Sequence, residues 1–149
     1  MGELALALFP SKRSEVRPDL FDLTVLHPAA AEEGAVACFV GDWLRHEALR
    51  LLTPRVVEFA SRLPREAPHV KLSNARGEWG SCNSRGEIRL NWRLVQLPAP
   101  LADYVVAHEV AHLVELNHSP RFWAVVESLL PGHAERRRSL GDWTALLAA

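Results

Sequence analysis

Two hydrophobic periods divide this chain. From Val36 the apolar positions Phe39, Val40, Trp43, Leu44, Ala48, Leu51, Leu52, Val56, Phe59, Ala60 and Leu63 recur three and four residues apart, the spacing that gives a helix one apolar stripe. Pro54 interrupts it: either the helix kinks there, or Thr53 caps a second helix with Pro54 at its first position. Pro64 and Pro68 close the region. The period then changes to two. Residues 69–73 form a short candidate strand with Val70 and Leu72 on one face, and residues 79–82 form a second. Residues 87–94 are the clearest, because Ile88, Leu90, Trp92 and Leu94 alternate with Glu87, Arg89, Asn91 and Arg93. That alternation predicts one packed face and one face toward water or a cleft. Asn83-Ser84-Arg85-Gly86 reads as a hairpin turn, with Gly86 able to take positive φ.

Helical spacing returns after Pro98 and Pro100. A helix over about 101–116 carries Tyr104, Val105, Ala107, Ala111 and Leu113, enough apolar surface to be central and largely buried. Residues 120–130 form the next, ended by Pro131-Gly132. The last spans about 133–147, with Leu140, Trp143, Leu146 and Leu147 as its buried stripe. Ahead of Val36 the pattern fades. Leu20, Leu23 and Val25 fit a short strand, Pro10, Pro18 and Pro28 break the segment, and residues 29–34 read as a linker. The expectation is an N-terminal segment, 1–34, irregular or in short strands, followed by one α+β domain over 35–149. A small three-stranded or mixed sheet packs there on several helices. No internal repeat or low-complexity tract is visible.

The candidate chemistry sits on the central helix. His108-Glu109-Val110-Ala111-His112 is followed six residues later by His118. Residues four apart share a helix face, so His108 and His112 can reach one ion. Glu109 projects about 100° around the axis, beside the metal, where it can take a proton from water. On a continuous helix His118 would lie about 9 Å beyond His112 and on another face, so the helix has to stop first. Asn117 can adopt the left-handed conformation that ends helices, Ser119 is a good N-cap, and Pro120 fits the first position of a new helix. Three protein ligands with one open position is the catalytic zinc pattern, whereas structural sites are closed by four. Glu115 is a rival third ligand on the face of His108 and His112, but three side chains along one straight helix splay too far for tetrahedral geometry.

Composition changes this picture little. The chain has 149 residues, 48% hydrophobic and 23% charged, with a formal net charge of −1, normal for one soluble globular domain. Such a charge gives no overall pull toward nucleic acid or an anionic membrane, and no clear nucleic-acid-binding patch is present. Arg136-Arg137-Arg138 reads as a solvated helix face in preference to an anion-binding patch. Cys38 and Cys82 form neither a CxxC pair nor a disulfide framework. Cys38 is expected to be packed. Cys82 reads as a small buried residue, with a reactive thiol or a fourth zinc ligand as the alternatives. No stretch reaches the length of a membrane span, and residues 4–9 are too short and lack the basic lead of a secretory signal. The expected location is cytoplasmic.

Several blocks, in order, resemble a known family: Trp79-Gly80-Ser81-Cys82, then Ile88-Arg89-Leu90-Asn91-Trp92-Arg93-Leu94, then Asp103-Tyr104-Val105-Val106-Ala107-His108-Glu109, and finally Asn117-His118-Ser119-Pro120-Arg121-Phe122-Trp123. Together they are similar to the YgjP-like metallohydrolases, relatives of the SprT-like and WLM zinc peptidases of the zincin class. The resemblance covers roughly residues 35–147 and is strongest over 79–123. It implies a zincin-like fold, His108, His112 and His118 as zinc ligands, and Glu109 as general base. Two departures stand out. Position 78 is Glu where family members usually carry a basic residue, and residues 1–34 are short for the family's strand-rich N-terminal region.

The expected function is therefore a Zn2+-dependent hydrolase, a metallopeptidase acting on polypeptide. One alternative is a nucleotide pyrophosphatase using the same metal centre, an activity attributed to some YgjP-like proteins; it would take a nucleotide, though no phosphate-cradling glycine-rich loop is visible. The other is a non-enzymatic zinc-bearing adaptor that binds extended peptides. Asn91, Arg93 and His133 are candidate substrate-binding residues and oxyanion donors. The 87–94 strand, beside the metal helix, offers an edge to which an extended peptide could add.

Overall fold

The computed structural model describes residues 5–10, 15–18, 22–27 and 33–148, with side chains from Cys38 to Leu147. The chain forms two compact units, Met1–Glu47 and Ala48–Ala149. In the first, β1 (Ala5–Pro10), β2 (Glu15–Pro18) and β3 (Asp22–His27) make a sheet of order β1-β3-β2. β1 runs parallel to β3 and β2 antiparallel to it. The strand expected around Leu23 and Val25 is β3, while Leu20 lies outside the described residues. Pro10 and Pro18 each stand at the end of an edge strand, where a sheet tolerates proline.

The long apolar stripe forms a single helix, α1 (Glu33–Ala60), with Pro54 inside it. A proline in a helix interior costs roughly 3 kcal/mol or more. Ala48, Leu52, Val56, Phe59 and Ala60 are buried, and burying a large apolar side chain contributes about 1.5–3 kcal/mol, so packing outweighs the break. No described residue of α1 before Ala48 is buried. Cys38, expected to be packed, is for that reason exposed.

The second unit holds a mixed sheet of order β4 (Val70–Ser73), β6 (Ile88–Asn91), β5 (Gly80–Cys82). β4 is parallel to β6 and β5 antiparallel. The hairpin between β5 and β6 turns as expected: Gly86 has φ 80°, and the Asn83 N–H donates to the Glu87 carbonyl at 3.1 Å.

Three expectations about the last strand fail. It ends at Asn91, where the chain enters a 3-10 helix over Trp92–Gln96. The Asn91 side chain accepts from the Arg93 N–H at 3.0 Å and donates to the carbonyls of Ala75 and Glu78. Asn91 is fully buried, not on a wet face, because these backbone groups satisfy its amide. β6 is also the central strand, so the free edge is not its own. β4 and β5 are the edges, and β5 is the one packed on the helix that follows.

Helix α2 (Ala99–Ala111) stands at the centre of this unit, against β5, β6 and the two helices α3 (Pro120–Leu129) and α4 (His133–Leu140). Leu94, Leu97, Val106, Val110, Phe122 and Val126 are fully buried around it. α2 stops earlier than its periodicity predicts. The Leu113 and Val114 N–H groups bond three residues back, to Val110 and Ala111, which tightens the last turn and closes the helix. No described non-glycine residue has positive φ, so Asn117 does not end the helix through a left-handed cap. The C-terminal helix is also shorter than expected. It passes into a 3-10 helix over Gly141–Ala148, in which Leu147 is buried while Trp143 and Leu146 pack on the core.

Candidate metal centre

The bend between α2 and α3 brings the three histidines together. The Ser119 side chain accepts from the Phe122 N–H and Pro120 opens α3, as the sequence indicated. His118 therefore lies at the mouth of α3 and turns back onto α2. The ring centroids of His108, His112 and His118 stand 5.0, 5.1 and 4.9 Å apart, almost an equilateral triangle. One ring nitrogen of each lies within 4.8 Å of the others. Phe122, fully buried, touches all three, with centroids 4.9, 4.4 and 4.9 Å from His108, His112 and His118.

Hydrogen bonds orient the rings of His108 and His112. His112 Nδ1 lies 3.0 Å from the Glu115 carbonyl. A carbonyl only accepts, so Nδ1 carries the proton and Nε2 presents a lone pair. Glu115, the rival third ligand, stands outside the metal-capable cluster among the described residues, which is His108, His112 and His118. His108 Nδ1 lies 3.4 Å from the Tyr104 hydroxyl, which orients its Nε2 in the same sense.

Electrostatics keep His108 and His112 neutral, the form that ligates. Burial, then the charges of His112, His118, Arg137 and His133, push His108 down to about 3. Burial likewise lowers His112. His108 Nε2 and His118 Nε2 lie 3.2 Å apart. Two nitrogens bound about 2.0–2.1 Å from a tetrahedral zinc would stand about 3.3 Å apart, so this pair matches one small divalent cation, with the third ligand atom within 4.8 Å of both.

Glu109 is 5% exposed, with one carboxylate oxygen 4.0 Å from His112 Nε2. Burial first, and the nearby charge of Glu78 second, raise its pKa to about 8. Gly80 of β5 makes room for it. Cys82, on the same strand, is pushed up to about 11 by burial and by Glu109, which keeps it a thiol. It stands apart from the metal-capable cluster.

The candidate substrate residues separate. Asn91 is internal, as described. Arg93 donates to Asn74 Oδ1 at 2.7 Å and lies over the Trp92 ring. His133 adjoins the triad: its ring stacks on Trp123, 5.6 Å between centroids, and Trp123 lies 5.8 Å from His108. Gly80, Tyr104 and Phe122 were missed as site residues. Tyr104 was findable, four residues before His108 on one helix face. Gly80 and Phe122 were not, since their roles depend on what packs against them.

The mixed sheet, the HExxH helix packed on it and the returning histidine together define the class: an α+β, zincin-like metal-binding domain. The model of the YgjP-like family, metallopeptidase domain, matches residues 4–142. The chain belongs to that family and is a metallopeptidase domain. Among solved structures it is similar to the metallopeptidase zymogen abylysin of Pyrococcus abyssi, with a TM-score of 0.52 and 22% identity over 62% of this chain and 90% of that one. At that identity the likeness concerns the fold. Comparison with curated proteins finds no match. No helix among the described residues is long and apolar enough to cross a membrane.

Proposed function

We propose that His108, His112 and His118 hold Zn2+ and that Glu109 is the general base in hydrolysis of a polypeptide bond. The observation that carries this reading is the convergence of three imidazoles beside one buried carboxylate. Zinc, when bound, supplies Lewis acidity that polarises a carbonyl, acidifies water toward neutrality and favours ionised Glu109. Glu109 accepts the proton of the attacking water at its carboxylate and returns it to the leaving amine. The Glu115 carbonyl holds His112 in the ligating tautomer, and the Tyr104 hydroxyl beside His108 Nδ1 fixes the orientation of that ring. β5, an edge strand packed on α2, is the segment to which an extended substrate can add, in place of the central strand.

Comparing wild type with Glu109→Gln tests the assignment. Zinc content per chain is expected to be equal in both, and hydrolysis of an unfolded polypeptide is expected in wild type only. Equal turnover would reject Glu109 as the base, and cleavage of nucleoside triphosphates without peptide cleavage would reject the substrate class.

A further inference from the structure

Zinc-and-base chemistry leaves Trp123, His133 and Arg137 without a task, yet they form an ordered row leading away from the triad. The Tyr104 and His133 rings are parallel to within 8°, 6.5 Å apart. His133 and Trp123 are parallel to within 12°, 5.6 Å apart. The Arg137 guanidinium carbon lies 4.4 Å from the Trp123 ring centroid. The inner end of the row is the Tyr104 hydroxyl against His108, and Trp123 lies 5.9 Å from His118. Trp123, His133, Ala134, Arg137 and Arg138 line a cavity of about 470 Å³, a size that accepts small ligands and side chains.

We propose that this cavity is a carboxylate-binding subsite, holding an acidic side chain or the C-terminal carboxylate of the substrate beside the bond to be cleaved, with Arg137 as its anchor. The substrate class rests on the metallopeptidase reading.

Two observations support it. First, the charge is uncommitted. Neither Arg137 nor Arg138 has a carboxylate partner among the described residues, whereas Arg136 is turned to the Pro100 carbonyl. The nearby carboxylate, Glu127, is engaged by His133 at 2.6 Å and by the Gly132 N–H at 3.1 Å. Second, the cation is preorganised. A guanidinium resting on an indole face keeps its in-plane N–H groups available for a bidentate carboxylate. The tandem arginines, read as a solvated helix face, thus divide. Arg136 braces α4 against the backbone, and Arg137 and Arg138 form a cationic wall. Both are exposed, so water and salt temper the attraction. The expected discrimination is about tenfold at low ionic strength.

The test measures binding separately from cleavage. Zinc-loaded Glu109→Gln protein is titrated with three fluorescent, N-acetylated octapeptides of alanine and serine. One has a central Glu and an amidated C-terminus, one a central Gln and an amidated C-terminus, and one a central Gln and a free C-terminal carboxylate. One of the two carboxylate peptides is expected to bind about tenfold tighter than the neutral one, and which of them does so tells side chain from terminus. Arg137→Gln is expected to erase the difference, and higher salt to shrink it. Equal Kd values for all three peptides would overturn the proposal, as would a preference that survives Arg137→Gln. Should wild type cleave no peptide while the preference persists, the peptidase reading fails and the carboxylate subsite stands.

Discussion

Glu109 owes its place to an absent side chain. A Cβ at Gly80 would stand 2.9 Å from Glu109 Cγ, 3.0 Å from its Oε2 and 3.1 Å from the Arg89 carbonyl. The carbonyl belongs to the paired strand and cannot yield, so the carboxylate would have to move. Gly80→Ala is expected to lower kcat at least about tenfold, since misplacement of the proposed base by a fraction of an ångström is felt directly in the rate. Zinc per chain should be unchanged. A steady-state assay alongside metal analysis checks both, and an unaltered kcat would show that the base tolerates displacement. The motif residues themselves were legible because helical spacing alone puts His108 and His112 on one face. Gly80 was silent, because its role exists only against a residue 29 positions away, as the numbering in the sequence shows.

The bend from α2 to α3 is what converts two ligands into three. Its second half was legible, since Ser119 followed by Pro120 is local capping chemistry. Its first half was not. The place where α2 ends is set by the tightened turn at Ala111 and by the bond from His112 to the Glu115 carbonyl, and the apolar period runs on past it. Ser119→Ala removes the cap, at a cost of about 1 kcal/mol, and frees the segment bearing His118. Thermal unfolding is expected to show that loss, and competition with a zinc chelator to show weaker retention of the metal. Full retention would mean that packing on Phe122 suffices to hold His118. Strand β6 teaches the same lesson. Its alternation continues to Leu94, but Asn91 finds buried carbonyl partners at Ala75 and Glu78 and the chain turns there.

The second unit carries opposing charges on its stability, and removing metal exposes them. In the native chelated protein Glu109 titrates at about 8 against an ordinary 4.5, because of burial and then Glu78. It therefore holds a proton that the unfolded chain has lost, and stability falls as pH rises between those values. His108, pushed by burial and neighbouring charges to about 3 against 6.5, does the reverse: stability rises with pH up to about 6.5. The two effects oppose each other between 4.5 and 6.5, and only that of Glu109 is left above. Chelated wild type is expected to be most stable near pH 6.5 and to lose on the order of 1–2 kcal/mol by pH 8. Glu109→Gln should abolish that decline. Denaturant titrations across this range check it, and a flat profile in wild type would contradict the burial of the carboxylate.

Whatever depends on residues near one another along the chain could be read directly: the helical repeat that pairs His108 with His112, the cap at Ser119, the hairpin at Gly86, the alternation that marks a sheet. These follow from backbone periodicity and steric preference, which act over a few residues. Folding alone decided that Pro54 stays within α1, that Asn91 is internal, that β5 and not β6 offers its edge, and that Trp123, His133 and Arg137 stand in one row beside the triad. Each of those outcomes depends on partners distant along the chain, whose packing and hydrogen bonds outweigh local preference.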